Sequence, residues 1–390
     1  MLSLEANENP VSSDISAEVS AGAGTLLVVD DGTSGYWQSG LVLNMGPHFF
    51  LGFNLGQFYS NLPWLNTSIF GLSGKAGFET SKGGFTFGFG FFEHSSVSAV
   101  LKRATLTNEG GQGNFFSIET KLHLVPITIA PCFFIGQAKW EDGDLYWFFG
   151  KPEIPSFLVY GLTLYFDQQD HYRHGLGFRL FSADININSN RNAPVFNSYL
   201  NGGILFYQIA LERAQNNYLG TLGFFYAKAV ADGSLNTSNQ PYFLFPYLFF
   251  NLNVHIKAHA GFALFGFQHN RGIFQHSIDA GIFHIFNDQA KIDIHSHRKW
   301  LFGGRETFDE IKPDISGLGA AFLLFNSSIP SIQLAGNKHI SFGLQKAFVL
   351  PWGFTGNYPD QISTLSWNKV FSAMRTILLS GLSVHGSFSW

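Results

Sequence analysis

Apolar residues recur at every second position over most of this sequence. Within residues 85–91, four Phe alternate with Thr and Gly, and within residues 116–124 apolar residues alternate with Ser, Glu, Lys and His. Successive side chains of a β-strand point to opposite faces, whereas a helix would spread each set around its circumference. Because similar segments follow one another along the chain, the sequence predicts an all-β fold.

Charged residues make up only 13% of the 390 residues, whereas a soluble domain carries about 25%. A soluble all-β protein would need a charged outer face, but the non-apolar positions are mostly Gly, Ser, Thr, Asn and His. No uncharged apolar run reaches the roughly 18 residues of a membrane helix. A transmembrane β-barrel satisfies both conditions, because it distributes its hydrophobicity over alternate residues.

Several other classes are excluded by the same composition. Hydrophobic residues account for 45% of the chain, which is too many for a disordered protein. Cys132 is the single cysteine, so there is no disulfide framework. A net charge of −4 provides no basic surface, so we expect no nucleic-acid partner.

The segments predict a single closed antiparallel barrel of about 16 strands, with 14 or 18 also compatible, since single-chain barrels usually have an even number. The barrel is predicted over residues 17–390, after an N-terminal periplasmic tail or short plug at residues 1–16. Residues 1–16 lack the basic and apolar regions of a signal peptide, so we expect the chain to be a mature form.

The C-terminus carries a more specific pattern. The chain ends at Trp390, and Phe388, Val384 and Leu382 continue the alternation backwards. This pattern resembles the last strand of bacterial outer-membrane β-barrel proteins of the porin-like class. The resemblance implies a location in the bacterial outer membrane, contact with the lipid bilayer and insertion by the barrel-assembly machinery. The sequence does not decide whether the protein forms a homotrimer, because lipid-facing and subunit-facing apolar positions look alike in one sequence.

Polar residues that alternate with apolar ones are predicted to line the lumen. In residues 250–257, Phe250, Leu252 and Val254 would then face lipid. The predicted lining residues are Glu119, Lys121, His123, Asn251, Asn253, His255, Lys257 and His385.

Two groups of residues could carry out other chemistry, namely metal binding and lipid hydrolysis. Asp293, His295 and His297 would share one strand face and could hold a metal ion, although a polar row is the simpler interpretation. His385 and Ser387 could serve a barrel lipid hydrolase, but they would face the lumen and no third, orienting residue accompanies them. We therefore expect no catalytic residue, no metal and no cofactor, and no enzymatic activity.

The function that these patterns favour is passive diffusion of small solutes or ions through a porin-like channel. Some segments, such as residues 157–166 and 322–325, are apolar on both faces. These segments leave a second function possible, that of a transporter for hydrophobic molecules similar to fatty-acid channels. A surface adhesin and a barrel lipid hydrolase are further alternatives.

Overall fold

The computed structural model consists of β-strands joined by turns and loops. It describes residues 15–29, 32–62, 65–101, 104–140, 151–168, 172–188, 195–213, 215–236, 247–300, 303–312, 317–334, 338–352 and 380–390. The predicted segment at residues 1–16 lies almost wholly outside the described residues, since β1 begins at Ile15. Within these ranges there is no helix that is long and apolar enough to cross a membrane.

Within the described residues, seventeen strands form one antiparallel sheet, in which consecutive strands pair with each other except for β14 and β15. They are β1 (Ile15–Val29), β2 (Gly32–Met45), β3 (Phe49–Leu62), β4 (Leu65–Thr80), β5 (Gly83–Leu101), β6 (Ala104–Leu124), β7 (Ile127–Trp140), β8 (Lys151–Gln168), β9 (Tyr172–Asn188), β10 (Val195–Arg213), β11 (Asn216–Asn236), β12 (Tyr247–Arg271), β13 (Phe274–Trp300), β14 (Gly303–Ile311), β15 (Gly319–Gln333), β16 (His339–Trp352) and β17 (Leu382–Ser389).

The sheet closes on itself, because β17 pairs with both β16 and β1. In the closing pair Val19 lies opposite Phe388, and the backbones of Ala17 and Trp390 exchange two hydrogen bonds of 3.0 Å. Closure leaves no strand edge in the membrane, where unpaired backbone groups would be costly. The apolar C-terminal strand is therefore the closing strand, as the resemblance implied.

The seventeen strands occupy sixteen positions around the barrel. Both β14 and β15 pair with β13: β14 lies along residues 292–300 of β13, and β15 lies along residues 275–284. The two strands run in the same direction at one position, interrupted between Ile311 and Gly319. The prediction of a closed antiparallel barrel of about 16 strands is confirmed.

The two ends of the barrel differ in their connections. At one end, two or three residues join β2 to β3, β4 to β5, β6 to β7, β10 to β11 and β12 to β13. At the opposite end, ten residues separate β7 from β8 and β11 from β12, whereas two residues separate β1 from β2, β3 from β4 and β5 from β6. Outer-membrane barrels have short turns in the periplasm and longer loops outside. We call these the turn end and the loop end.

Burial distinguishes the outer from the inner face. On β5, Phe87, Phe89 and Phe91 are 37%, 46% and 40% exposed, whereas the alternating Gly88 and Gly90 are buried. Side chains converge inside a barrel, so the exposed Phe row is the outer face. Residues paired across strands share a face, which extends the assignment to every strand. The outer face carries an apolar zone, the membrane belt, which includes Phe53, Leu72, Phe89, Phe133, Phe178, Leu205, Phe265, Ile282, Phe342 and Val384.

Candidate functional site

The inner face combines glycines with large aromatic side chains on the next strand. A Cβ at Gly223 would lie 2.1 Å from Cζ of Phe262, and one at Gly90 would lie 2.2 Å from Cε1 of Phe115. Each ring therefore lies over the backbone of a strand that has no side chain there. The Gly–Phe pairs are Gly77–Phe50, Gly90–Phe115, Gly113–Phe92, Gly177–Phe206, Gly202–Phe181, Gly223–Phe262 and Gly281–Phe322.

The inner Phe rings of β6–β15 form a nearly continuous surface, which we call the aromatic wall. Phe134 contacts Phe115 and Phe157, with ring centroids 5.2 and 5.8 Å apart. Further along the barrel, Phe225 stacks on Phe181 at 5.7 Å. The wall comprises Phe115, Phe134, Phe157, Phe181, Phe206, Phe225, Phe262, Phe283 and Phe322.

Few charged residues interrupt the aromatic wall. The Arg179 guanidinium lies 5.4 Å from the ring centroid of Phe206 and donates a 2.9 Å hydrogen bond to the carbonyl oxygen of Phe178. Its position over an aromatic face fits a cation–π contact. Asp279 is on the same inner face, opposite Gly266 and Leu324. The wall is thus apolar with isolated charges.

The opposite side of the lumen, on β15–β17 and β1, is hydroxyl-rich, and we call it the polar wall. The hydroxyl oxygens of Ser341 and Ser387 are 2.8 Å apart, and Ser383 donates to Oε1 of Gln345 over 3.1 Å. A cavity of about 260 Å³ lies at its turn end. Glu18, Pro330, Ser331, His339, Ile340, Ser341, Ser387 and Ser389 line this cavity.

His385 is on the polar wall, between Gly22 of β1 and Gly343 of β16. Its ring lies over Gly343, where a Cβ would come within 2.1 Å of Cε1. Ser387 shares the inner face with His385, but its hydroxyl contacts Ser341. The structure therefore places His385 in the lumen, and its contact with a solute stays a prediction.

Glu119, Lys121 and His123 also lie on the inner face. Lys121 reaches across Gly84 to Glu79, where Nζ and Oε1 are 3.3 Å apart. Nδ1 of His123 lies 2.9 Å from the hydroxyl of Thr128. All three are near the turn end of β6, and Lys121 and His123 have partners of their own.

The other four predicted lining residues, Asn251, Asn253, His255 and Lys257, face outwards. They share a face of β12 with Phe265 and Phe267 of the membrane belt. Their predicted orientation is wrong, because this part of β12 extends beyond the belt at the loop end, where the outer face meets water.

The inner face of the same part of β12 carries Leu252, Val254 and Ile256, so the prediction that Leu252 and Val254 face lipid is wrong. Ala229 and Ala231 of β11 lie opposite Ile256 and Val254. Ile292 and Ile294 of β13 lie on the other side of the same strand. We call the loop-end part of β10–β14 the upper wall. Its outer face is mostly polar. Its inner face is apolar along residues 252–256 of β12 and the residues paired with them, whereas on β14 Arg305, Thr307 and Asp309 face inwards.

Asp293 and His295 lie on the outer face of the upper wall, but each is engaged. Lys291 Nζ is 2.9 Å from Asp293 and 3.2 Å from Glu310. His295 Nε2 is 2.6 Å from Glu306 Oε1. Among the described residues, no three His, Cys, Asp or Glu side chains are arranged to hold a metal ion.

This ion cluster shifts the pKa of its members. Hydrogen bonds to Asp293 and Glu310 raise the pKa of Lys291 above its ordinary value. Hydrogen bonds from Lys312 and Lys291 lower the pKa of Glu310. Both side chains are exposed to solvent, so the cluster is a surface feature.

Apart from His385, the residues of the polar wall were not among the predicted lining residues, and neither were those of the Gly–Phe pairs. One signal for both was present, since Ser383, His385 and Ser387 alternate in β17 and Gly alternates with Phe in β5. Which side chain covers which glycine depends on strand register, which the sequence alone does not show.

No protein-family model matches the sequence, and no curated protein matches it. The fold is similar to that of the FrpB iron transporter from Neisseria meningitidis, with 8% identity over 97% of this chain and 81% of that chain and a TM-score of 0.40. It is also similar to the ferric-catecholate import receptor Fiu from E. coli K12, with 7% identity, coverages of 97% and 81% and a TM-score of 0.40.

For the copper transporter OprC the identity is 10%, the coverages are 85% and 61%, and the TM-score is 0.37. At such values nothing about the solute of this chain follows from the likeness. The closed barrel and its apolar outer belt agree with the resemblance found at the C-terminus. The protein is a closed β-barrel with an apolar outer belt, the architecture of outer-membrane barrels.

Proposed function

We propose that this protein is an outer-membrane transporter for hydrophobic molecules that carry a polar group. The observation behind the proposal is the unbroken apolar inner face of β12, which continues from the upper wall to the aromatic wall. This face consists of Leu252, Val254, Ile256, Ala258, Ala260, Phe262 and Leu264.

An apolar surface that faces an aqueous lumen is unfavourable unless a ligand covers it. Removing apolar area from water stabilises by about 25 cal/mol per Å². Contiguous exposed apolar patches on natural proteins therefore mark binding surfaces. Aromatic rings such as Phe225 and Phe262 additionally favour flat or unsaturated ligands, through stacked and edge-to-face contacts.

The polar wall supplies the complementary half of the lumen. Its serine hydroxyls and His339 can donate and accept hydrogen bonds. A solute with an apolar body and a polar group would contact both walls at once. This arrangement is the reason for proposing amphipathic solutes instead of pure hydrocarbons.

Passive diffusion of small polar solutes is the second candidate function. The hydrogen-bonded side chains of the polar wall favour it, since porin lumens are polar and water-filled. The aromatic wall disfavours it, because a hydrophilic solute gains nothing from that surface. Conductance and binding measurements distinguish the two.

The test uses the protein reconstituted in liposomes and in planar bilayers, with a fluorescent long-chain carboxylic acid as the probe. We expect the probe to bind and cross, and the Phe225→Ser, Phe262→Ser double variant to bind about tenfold more weakly. A second double variant, Ser341→Ala, Ser387→Ala on the polar wall, removes hydrogen-bonding groups and leaves the aromatic wall intact, so it should weaken binding of the probe less than the Phe double variant does.

Two results would contradict the proposal. One is stepwise ohmic conductance with no binding of the probe. The other is unchanged probe binding in the Phe225→Ser, Phe262→Ser variant when circular dichroism shows it to be folded. Either result would leave passive diffusion as the better account of the lumen.

A further inference from the structure

Two lysines face each other on the outside of the barrel. Lys228 of β11 and Lys257 of β12 are directly paired in the register, both on the outer face. Side chains opposite each other in an antiparallel pair have Cβ atoms about 4.5–5.5 Å apart, and like charges at such a site are destabilising. A negative charge nearby would therefore stabilise the pair.

No carboxylate of the described residues forms an ion pair with either lysine. The acids of the upper wall lie further towards the loop end: Asp232 is opposite Asn253, and Asp293 and Glu310 are engaged with Lys291. Within this part of the chain, the charge of the two lysines is uncompensated. An anion from outside the chain would compensate it.

The lysines are placed at the boundary between lipid and water. One step closer to the turn end, the outer face carries Tyr226 opposite His259, with ring centroids 5.2 Å apart, and beyond them Phe224 of the membrane belt. Aromatic residues of this kind are typical of the membrane interface. Lys228 and Lys257 thus lie level with lipid headgroups, on the loop-end side of the barrel.

The same register row supplies neutral hydrogen-bonding groups. Ser182 of β9 and Asn201 of β10 continue it beyond Lys228, and Gln289 of β13 continues it beyond Lys257. Phosphate groups accept hydrogen bonds from hydroxyl, amide and ammonium groups alike. The row therefore presents two cations flanked by neutral donors.

We propose that Lys228 and Lys257 bind a phosphate of the phosphorylated glycolipid of the outer leaflet, lipid A of lipopolysaccharide. The acyl chains of this lipid would lie along Phe224 and the rest of the belt, and its phosphate would compensate the lysine pair. This inference depends on the outer-membrane location and not on what the lumen transports.

The test measures binding of purified lipid A to the delipidated, detergent-solubilised barrel by native mass spectrometry and by the shift in unfolding temperature. A lysine near an anionic lipid surface is worth about 1 kcal/mol. The Lys228→Gln, Lys257→Gln variant should thus bind lipid A about 30-fold more weakly than the unmodified protein. The single Lys257→Gln variant should bind about fivefold more weakly.

The matched control is the Lys291→Gln, Lys312→Gln variant, which removes the same charge from lysines that already have carboxylate partners. We expect it to bind lipid A as the unmodified protein does. Equal loss in both double variants would overturn the proposal, because it would indicate general charge attraction.

Two further probes identify the source of the phosphate. Inorganic phosphate at the same concentration, and lipid A stripped of its phosphates, should each leave the unfolding temperature unchanged. A shift with inorganic phosphate equal to that with lipid A would overturn the assignment to a lipid. Unaltered lipid A binding in the Lys257→Gln variant would overturn the site itself.

Discussion

The membrane belt and the upper wall are built from the same strands but differ in which faces are polar. On β12, the outer face carries Phe265 and Phe267 in the belt, and Asn253 and His255 in the upper wall. The inner face remains apolar at both levels. The polarity of the outer face thus follows the medium outside, lipid or water, whereas the inner face follows what occupies the lumen.

β13 reaches the same arrangement by a different route. In the belt its even-numbered residues, such as Ile278, face out, whereas in the upper wall Lys291 and Asp293 do so. A register irregularity beside His259 and Ala260 adds one residue to β13 and exchanges its faces. β-Bulges change which residues point to which side of a sheet, and this one lies where the belt ends.

The largest expected effect compares one substitution at the two levels of β12. Phe265→Arg places a charge in the belt, which costs about 2–4 kcal/mol near the bilayer midplane. Asn253→Arg adds the same charge on the same face in water and should cost close to nothing. Urea unfolding in lipid vesicles measures both, and comparable destabilisation would show that Asn253 does not lie outside the bilayer.

The alternation was sufficient to predict the barrel, its closure at Trp390 and about 16 strands, because each depends on local sequence. The face assignment was right for Lys121 and His385, which are on strands whose outer face meets lipid. It was wrong for Asn253, because period 2 separates two faces without saying which one is inside. To decide which face is inside, one must know how far the residue lies from the membrane centre, which depends on strand length and register.

A second prediction compares two glycines on the inner and outer faces of adjacent strands. Gly223→Ala would bring a Cβ to 2.1 Å from Phe262, so either the ring or the backbone must move. Overpacking of this kind costs about 1–3 kcal/mol. At Gly261, on the outer face, the nearest atom to a new Cβ is 3.6 Å away.

Gly261→Ala should therefore be neutral or stabilise by about 0.4–1 kcal/mol through the unfolded chain. The heat-modifiable shift in gel mobility, followed against temperature, measures both variants. If both glycines tolerate Ala equally, the aromatic wall does not depend on rings lying over glycines.

The boundary of the belt on the other side of the barrel allows a smaller test. The indole of Trp37 donates to Oε1 of Gln57 over 2.9 Å, and Gln57 donates to the hydroxyl of Ser68 over 2.7 Å. Trp37→Phe removes the donor and should cost about 0.5–1.5 kcal/mol in urea unfolding. Ser68→Ala serves as a comparison, since it removes the hydroxyl that accepts from Gln57. Unchanged stability of Trp37→Phe would contradict a stabilising role for the Trp37–Gln57 hydrogen bond.

The smallest expected effect concerns pH and only the upper wall. The pKa of Glu310 is lowered in the folded protein, so its stabilising contribution is present above its unfolded pKa and is lost as pH falls through the folded value. The pKa of Lys291 is raised, so its contribution is present below its unfolded pKa and is lost as pH rises through the folded value.

Amide hydrogen exchange of β13 and β14, corrected for intrinsic rates, should be constant between these two pH limits and accelerate outside them. The aromatic wall should show no such change, because its rings do not titrate. Exchange in β14 that drifts steadily through neutral pH would contradict the ion cluster. The Lys291→Met variant should lose the upper limit and keep the lower one, because Lys312 still lowers the pKa of Glu310.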